Sequence, residues 1–319
     1  MTARKWLERK VPLWIVLLVS AVCGVALGLL FPTTHHSSLL RVVIYTSQDQ
    51  VYAEPILKQF ERETGFKARA VYDSEAVKTV GLVNRLMAEK GHPQCDIFWN
   101  NEELRTRQLA ARGLFEKWAA AGYRSRRIAV NTNKVSLTAA PHSFAELTNE
   151  TWRGKIALAY PLFGTTATHF LVLRQAWGNE RWQSWCRALA ANKPFLVDGN
   201  SVAAKLTAKG DAWIGLTDSD DIAAEQREGA PIVALPLTEE SLLIPNTIAL
   251  MRGAPHRRSA EELLEYLQRP EVAGELIAAR ALEGVSVQSV TNATLKPDWV
   301  KLLADLDTGT ARLKEIFLR

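Results

Sequence analysis

Cysteine is scarce in this sequence: three in 319 residues, and Cys23 lies inside a long apolar run. Cys95 and Cys186 are far apart and have no Cys or His at metal-ligand spacing, which excludes a disulfide scaffold and a thiolate zinc site. They read as two buried thiols. Catalytic signatures are missing as well. Gly154-Lys155 is followed by Ile156 rather than by the end of a phosphate-binding loop, and there is no GxGxxG, HExxH or GxSxG. His169 stands near Thr165 and Thr166 without an acid to orient it, and it reads as a helix residue. No repeat of about 20–50 residues is visible. Excess charge is also small once it is located. The formal net charge is +5. Arg4, Lys5, Arg9 and Lys10 against Glu8 supply +3 of it within the first ten residues, so the remainder carries +2. A body so weakly charged gives no electrostatic basis for nucleic-acid binding.

What is present begins with that N-terminus. Residues 12–31 contain no charged side chain and would span about 30 Å as a helix, the thickness of a bilayer core. Cations precede the run and none follow it through Leu40, which places residues 1–10 inside and the rest outside. Two forms of export fit: an uncleaved membrane anchor over residues 1–31, or a signal sequence cleaved near Ala26-Leu27-Gly28. Residues 32–40 read as a linker.

From Arg41 onward, β-rich runs alternate with helical periods. Strands are expected at Arg41–Tyr45, Lys67–Tyr72, Cys95–Trp99, Lys155–Ala159, Phe195–Val197, Ala212–Leu216 and Ile232–Leu235. Helices follow each of the first three, one carrying Val77, Val80, Val83 and Met87 and another covering Glu103–Arg112. Others are expected at Thr168–Trp177, Glu180–Ala191, Ser201–Lys209, Ser259–Gln268, Glu271–Ala281, Asp298–Asp305 and Ala311–Phe317. Trp177, Trp182 and Trp185 fall at helical spacing and read as core. Such alternation indicates an α/β protein with parallel sheets covered by helices, and the length suggests two domains. Ligands of such folds bind beyond the carboxyl ends of the strands. The loops there are consistently polar: Thr46-Ser47-Gln48-Asp49, Asp73-Ser74-Glu75, Asn100-Asn101-Glu102, Phe163-Gly164-Thr165-Thr166, Gly199-Asn200-Ser201 and Thr217 through Asp221. Any one could be a helix cap; six in succession read as two walls of a cleft.

These segments carry a resemblance. The run from Val43 to Gly81, then CDIFWNNEELRTRQLAARGLF, WRGKIALAYPLFGTTATH, GNSVAAKLTAKGDAWIGLTDSDD and LLIPNTIAL, is similar to the extracellular solute-binding proteins of ABC importers, in particular the ferric-iron-binding subgroup. The resemblance implies a two-lobe, type II periplasmic-binding-protein-like α/β fold. It places lobe 1 at residues 41–129 plus 243–285 and lobe 2 at 130–242 plus 286–319. It also implies a non-enzymatic role: capturing a ligand and delivering it to a permease and its ATPase subunit. With the N-terminal run, the expectation is an exported, membrane-tethered monomer. Trp118–Ile128 looks shortened relative to the family's crossing strand. Glu102 falls on the family's metal-binding glutamate, Asp49 where a histidine is usual, and Asp220-Asp221 replace a tyrosine pair. Gly164, Thr165, Thr166, Asn200 and Ser201 fall on anion-contacting positions, and Ser47, Gln48, Asp73, Asn101 and Thr217 complete the expected ligand set. Four converging carboxylates would need a hard cation, such as ferric iron bound with an anion, or a cationic ligand. A small organic or phosphorylated solute is the alternative, its hydroxyl or amine groups meeting the aspartates. An exported hydrolase would need a nucleophile, base and acid that the sequence does not assemble.

Overall fold

The structure, a computed structural model, describes residues 40–73, 80–291 and 294–318. The expected anchor, Cys23, Val77 and the Ser74-Glu75 loop lie outside the described residues. Among those described, no helix is long and apolar enough to cross a membrane.

Two sheets share one long strand. The first contains β1 (Arg41–Thr46), β2 (Lys67–Tyr72), β3 (Ile97–Asn100), the first part of β4 (Phe115–Asn131) and β9 (Leu243–Met251), in the order β2-β1-β3-β9-β4. The second contains β5 (Ile156–Ala159), β6 (Phe195–Val197), β7 (Ile214–Asp218), the last part of β4, and β8 (Ile232–Ala234). β1 runs parallel to β2 and β3, and β5 runs parallel to β6 and β7, while β9 is antiparallel to β3 and β4. β4 pairs with β9 as far as Ser125 and with β7 from Arg126. The segment Trp118–Ile128 lies within this crossing strand. A boundary at residue 129 would cut this strand.

Alternation along the strands sends side chains into opposite layers. Val42, Ile44, Ile97, Trp99, Ile248 and Leu250 pack with α1 (Gln50–Thr64), α8 (Arg257–Leu267) and α9 (Pro270–Ala278). Their neighbours Tyr45, Phe98 and Ala249 face α2 (Val80–Ala88) and α3 (Glu103–Ala111). In the second sheet, Ile128, Val130, Ile156, Leu158, Ile214 and Leu216 meet α4 (Gly164–Trp177), α5 (Asn179–Ala191) and α10 (Trp299–Phe317). The small residues Ala129 and Ala157 face α6 (Asn200–Lys209) and α7 (Ser219–Arg227). Both sheets are covered on both faces, as parallel strands require.

Three expectations shift. α4 begins at Gly164, not Thr168, which puts the Gly-Thr-Thr run in its first turn. The two expected C-terminal helices are one, because Gly309 does not end α10 but lets it approach α4: an added Cβ would lie 2.3 Å from Leu171 Cδ2. β7 extends to Asp218, so that residue belongs to the strand end. Cys95 and Cys186 are buried free thiols, Trp182 and Trp185 are core residues, and His169 is a buried residue of α4.

Candidate functional site

The carboxyl ends of β1, β3, β5, β6 and β7 open on one cleft between the sheets. Its cavity encloses about 460 Å³, mouth included. The structure brings Asp49, Asn101, Gly164, Thr165, Thr166, Asn200, Asp220 and Asp221 onto its wall. Phe163 and Asp218, both in the polar loops of the sequence, line it as well, and so do Arg124, Tyr160 and Asp198, which those loops did not include. Ser47, Gln48, Asp73, Glu102, Ser201 and Thr217 are not on the wall. Ser47 donates to Asn100 Oδ1 at 2.6 Å and accepts from the Asn101 N–H at 2.9 Å, so it fixes the β3–α3 turn. Asp73 accepts from Leu82 N in α2. Thr217 Oγ1 donates to Asp221 Oδ2 at 2.9 Å and orients that carboxylate from behind.

Glu102 is where the geometry departs most from expectation. Its carboxylate accepts from Leu104 N at 2.7 Å and Arg105 N at 3.0 Å and thereby caps α3. Burial raises its pKa, partly offset by Arg105 and these backbone donors. The capping role that any polar loop could have played belongs to this residue. By contrast, α1, α4, α6 and α7 begin at Asp49, Phe163, Gly199 and Asp218, none of which makes a side-chain cap bond. Four helix N-termini therefore meet the cleft with first-turn N–H groups not capped by those residues, and their dipoles favour negative charge.

The aspartates are already partnered by arginines from β4. Arg126 Nη1 lies 2.8 Å from Asp218 Oδ1, and Arg124 reaches Asp218 Oδ2 at 3.1 Å and Asp220 Oδ2 at 3.0 Å. Burial pushes the Asp218 carboxyl up, but Arg124, Arg126 and the Thr165 hydroxyl more than offset it and hold it below the usual range. Burial likewise opposes charge on Arg124, and Asp220, Asp218, Asp49 and Asp221 together overcome it, so the guanidinium is more firmly protonated than an ordinary arginine. The inference that converging carboxylates demand an external cation does not follow here, because much of the compensating charge is built in.

The hydroxyls are committed too. Thr165 Oγ1 donates to Asp218 Oδ2 at 2.8 Å and accepts from Asn200 Nδ2 at 2.9 Å. Thr166 Oγ1 donates to Asn200 Oδ1 at 3.0 Å. Their protons point inward, so what they offer a ligand is lone pairs, while Tyr160, Asn101 and the positive charge of Arg124 also stand on the wall. Asp218, Asp220 and Asp221 also have carboxylate oxygens within 4.8 Å of one another, a spacing that could hold a metal ion.

Comparison with known proteins agrees with this architecture. Residues 40–278 match the family of bacterial extracellular solute-binding proteins. An uncharacterised protein of Haemophilus influenzae is 23% identical over 286 residues, covering 80% of this chain and 79% of that one. Iron-bound HitA from Pseudomonas aeruginosa superposes with a TM-score of 0.76 at 15% identity, covering 87% of this chain and 99% of that one. AfuA from Actinobacillus pleuropneumoniae, with fructose-6-phosphate bound, gives 0.75 at 18% identity, covering 87% and 98%. The fold is the two-lobed one of these periplasmic binding proteins, and the chain belongs to the bacterial extracellular solute-binding proteins.

Proposed function

We propose that this protein captures a small organic solute bearing an anionic group, phosphate or carboxylate, and hands it to an ABC permease and its ATPase. It acts outside the cytoplasmic membrane, held there by residues 1–31 as an anchor. The observation that carries the solute reading is Arg124. It lies on the cleft wall between Asp218 and Asp220, where a bound cation would otherwise sit. The α4 and α6 N-termini add backbone donors on the same wall, and hydroxyl or amine groups of the solute would meet Asp49 and Asp221 there. The neighbour that holds fructose-6-phosphate fits this class. A ferric-iron reading rests on the oxygen cluster of Asp218, Asp220 and Asp221 and on the iron-bound neighbour.

A thermal-shift screen separates the two. Ligand at about 100 times its Kd stabilises a binder by about 2.7 kcal/mol. Sugar phosphates, phosphonates and small carboxylates are expected to raise Tm, and ferric citrate and divalent salts to leave it unchanged. A shift confined to metals would overturn the organic-solute reading.

A further inference from the structure

The cleft is acid-rich, and of the two buried arginines that the crossing strand brings to its aspartates, Arg124 is the one on the cavity wall. Asp218, Asp220 and Asp221 bring carboxylate oxygens within 4.8 Å of one another, close enough for one hard cation. Arg124 enters that cluster from β4, its Nη1 3.0 Å from Asp220 and its Nη2 3.1 Å from Asp218. Its side chain is 4% exposed, and its Nε–H, also buried, has no hydrogen-bond partner among the described residues. A buried donor without an acceptor is costly, and this one belongs to a side chain lining the cavity.

We propose that Arg124 is the charge-selecting residue of the cleft: its guanidinium takes the place of a metal ion beside Asp218 and Asp220, and its positive charge favours the anionic group of the solute. The inference rests on the organic-solute reading and extends it, since it assigns the refusal of cations to a single side chain. Replacing that charge by a neutral group removes the cation shared by Asp218 and Asp220 while Arg126 still pairs with Asp218, so Arg124→Gln shifts the cluster toward metal binding. Arg126 does not substitute for it, because its Nη1 and Nη2 are already held by Asp218, Asn200 and the Leu216 carbonyl.

Terbium(III) is the probe, with Tyr160 on the cavity wall as sensitiser. Wild-type protein should give no saturable luminescence, whereas Arg124→Gln and Arg124→Met should titrate at concentrations at least about 100-fold lower, given the strength of charge repulsion at such distances. Adding Asp220→Asn and Asp221→Asn to either variant should abolish the signal, and Arg124→Lys, which keeps the charge, should behave as wild type. A folded neutral variant that gains no terbium binding would overturn the proposal, as would Arg124→Lys binding like Arg124→Gln. Wild type carries its own test if neither neutral variant folds: saturable terbium binding lost on Asp220→Asn/Asp221→Asn would overturn the proposal. Solute binding by wild type is read separately by thermal shift, so an organic ligand found beside a failed terbium gain rejects the role of Arg124 and leaves the solute reading standing.

Discussion

At the scale of single residues, His169 shows how burial sets a pH limit. Burial, with the Arg126 charge adding to it, lowers its pKa to about 3, although the Glu240 carbonyl opposes this. Its Nε2 lies 2.8 Å from that carbonyl, while Nδ1 is buried with no partner among the described residues. The ring is therefore neutral in the fold and takes a proton near pH 6.5 when unfolded. Its contribution to stability is complete above about pH 6.5 and declines as pH falls toward 3. By pH 5 the loss should be about 2 kcal/mol. Urea denaturation at pH 7 and pH 5 should show wild type losing that much more than His169→Gln. The depressed carboxyl of Asp218 loses its contribution only at lower pH, and Glu102 is common to both proteins. Equal losses would mean that the protonated ring finds a partner. The same scale shows what the sequence concealed. The aspartates were legible because they follow strands, but their partners Arg124 and Arg126 lie about 90 residues earlier. Nothing in the run GYRSRRIAV marks two of its three arginines as the buried ones, so the acids looked uncompensated. Thr165 and Thr166 were legible as hydroxyls on the wall; that their protons face inward depends on Asn200 and Asp218, which only the fold brings near.

At the scale of elements, the sequence hid β9, which carries Pro245-Asn246 inside its apolar run, and β4. The pairing of β4 with β9 shifts between Ala120 and Tyr123, so the two-residue alternation breaks in the middle of β4. Gly122 sits in that irregularity at φ +82°, and an added Cβ would lie 2.4 Å from Leu282 Cδ1 and 3.1 Å from the Gly284 carbonyl oxygen. Glycine there reads locally as a stop, whereas the fold uses it to bend a strand that serves two sheets. Gly309 misled in the same way in α10. The strands with unbroken apolar runs, and helices with clear faces such as α1 and α8, could be read directly because local pattern and tertiary burial agree. Gly122→Ala combines left-handed strain of about 1–2 kcal/mol with overpacking of about 1–3 kcal/mol. A loss of about 2–4 kcal/mol in urea denaturation is expected. A loss below about 0.5 kcal/mol would show that Leu282 yields and that the bend does not depend on glycine.

At the scale of the molecule, the proposed capture would close the two halves on the solute, and the contacts between them decide how readily they do so. A solute in the cleft would supply some of these, since the cleft wall draws Asp49 and Asn101 from the first half and the remaining acids from the second. Others are permanent parts of the chain. α10 packs on α4 and α5 of the second half and also on α3 of the first. There the Arg107 guanidinium lies between the rings of Trp118, 5.1 Å away, and Trp299 at the start of α10, 5.0 Å away. Glu103 fixes the same guanidinium by an ion pair. The Trp118 contact lies within the first half, and the Trp299 contact joins the halves. Opening the cleft with α10 held by the second half must break the second contact, which is worth about 0.5–1 kcal/mol. Arg107→Gln should therefore lower the closed population and weaken apparent solute affinity about two- to fivefold, with stoichiometry unchanged, because affinity scales with the competent fraction. Small-angle scattering of the unliganded variant should report a larger radius of gyration. The residue is not on the cleft wall, so the effect cannot arise from a lost ligand contact. Unaltered affinity and size would mean that α10 travels with α3 when the halves separate, and that the boundary between moving parts runs along its packing with α4 instead.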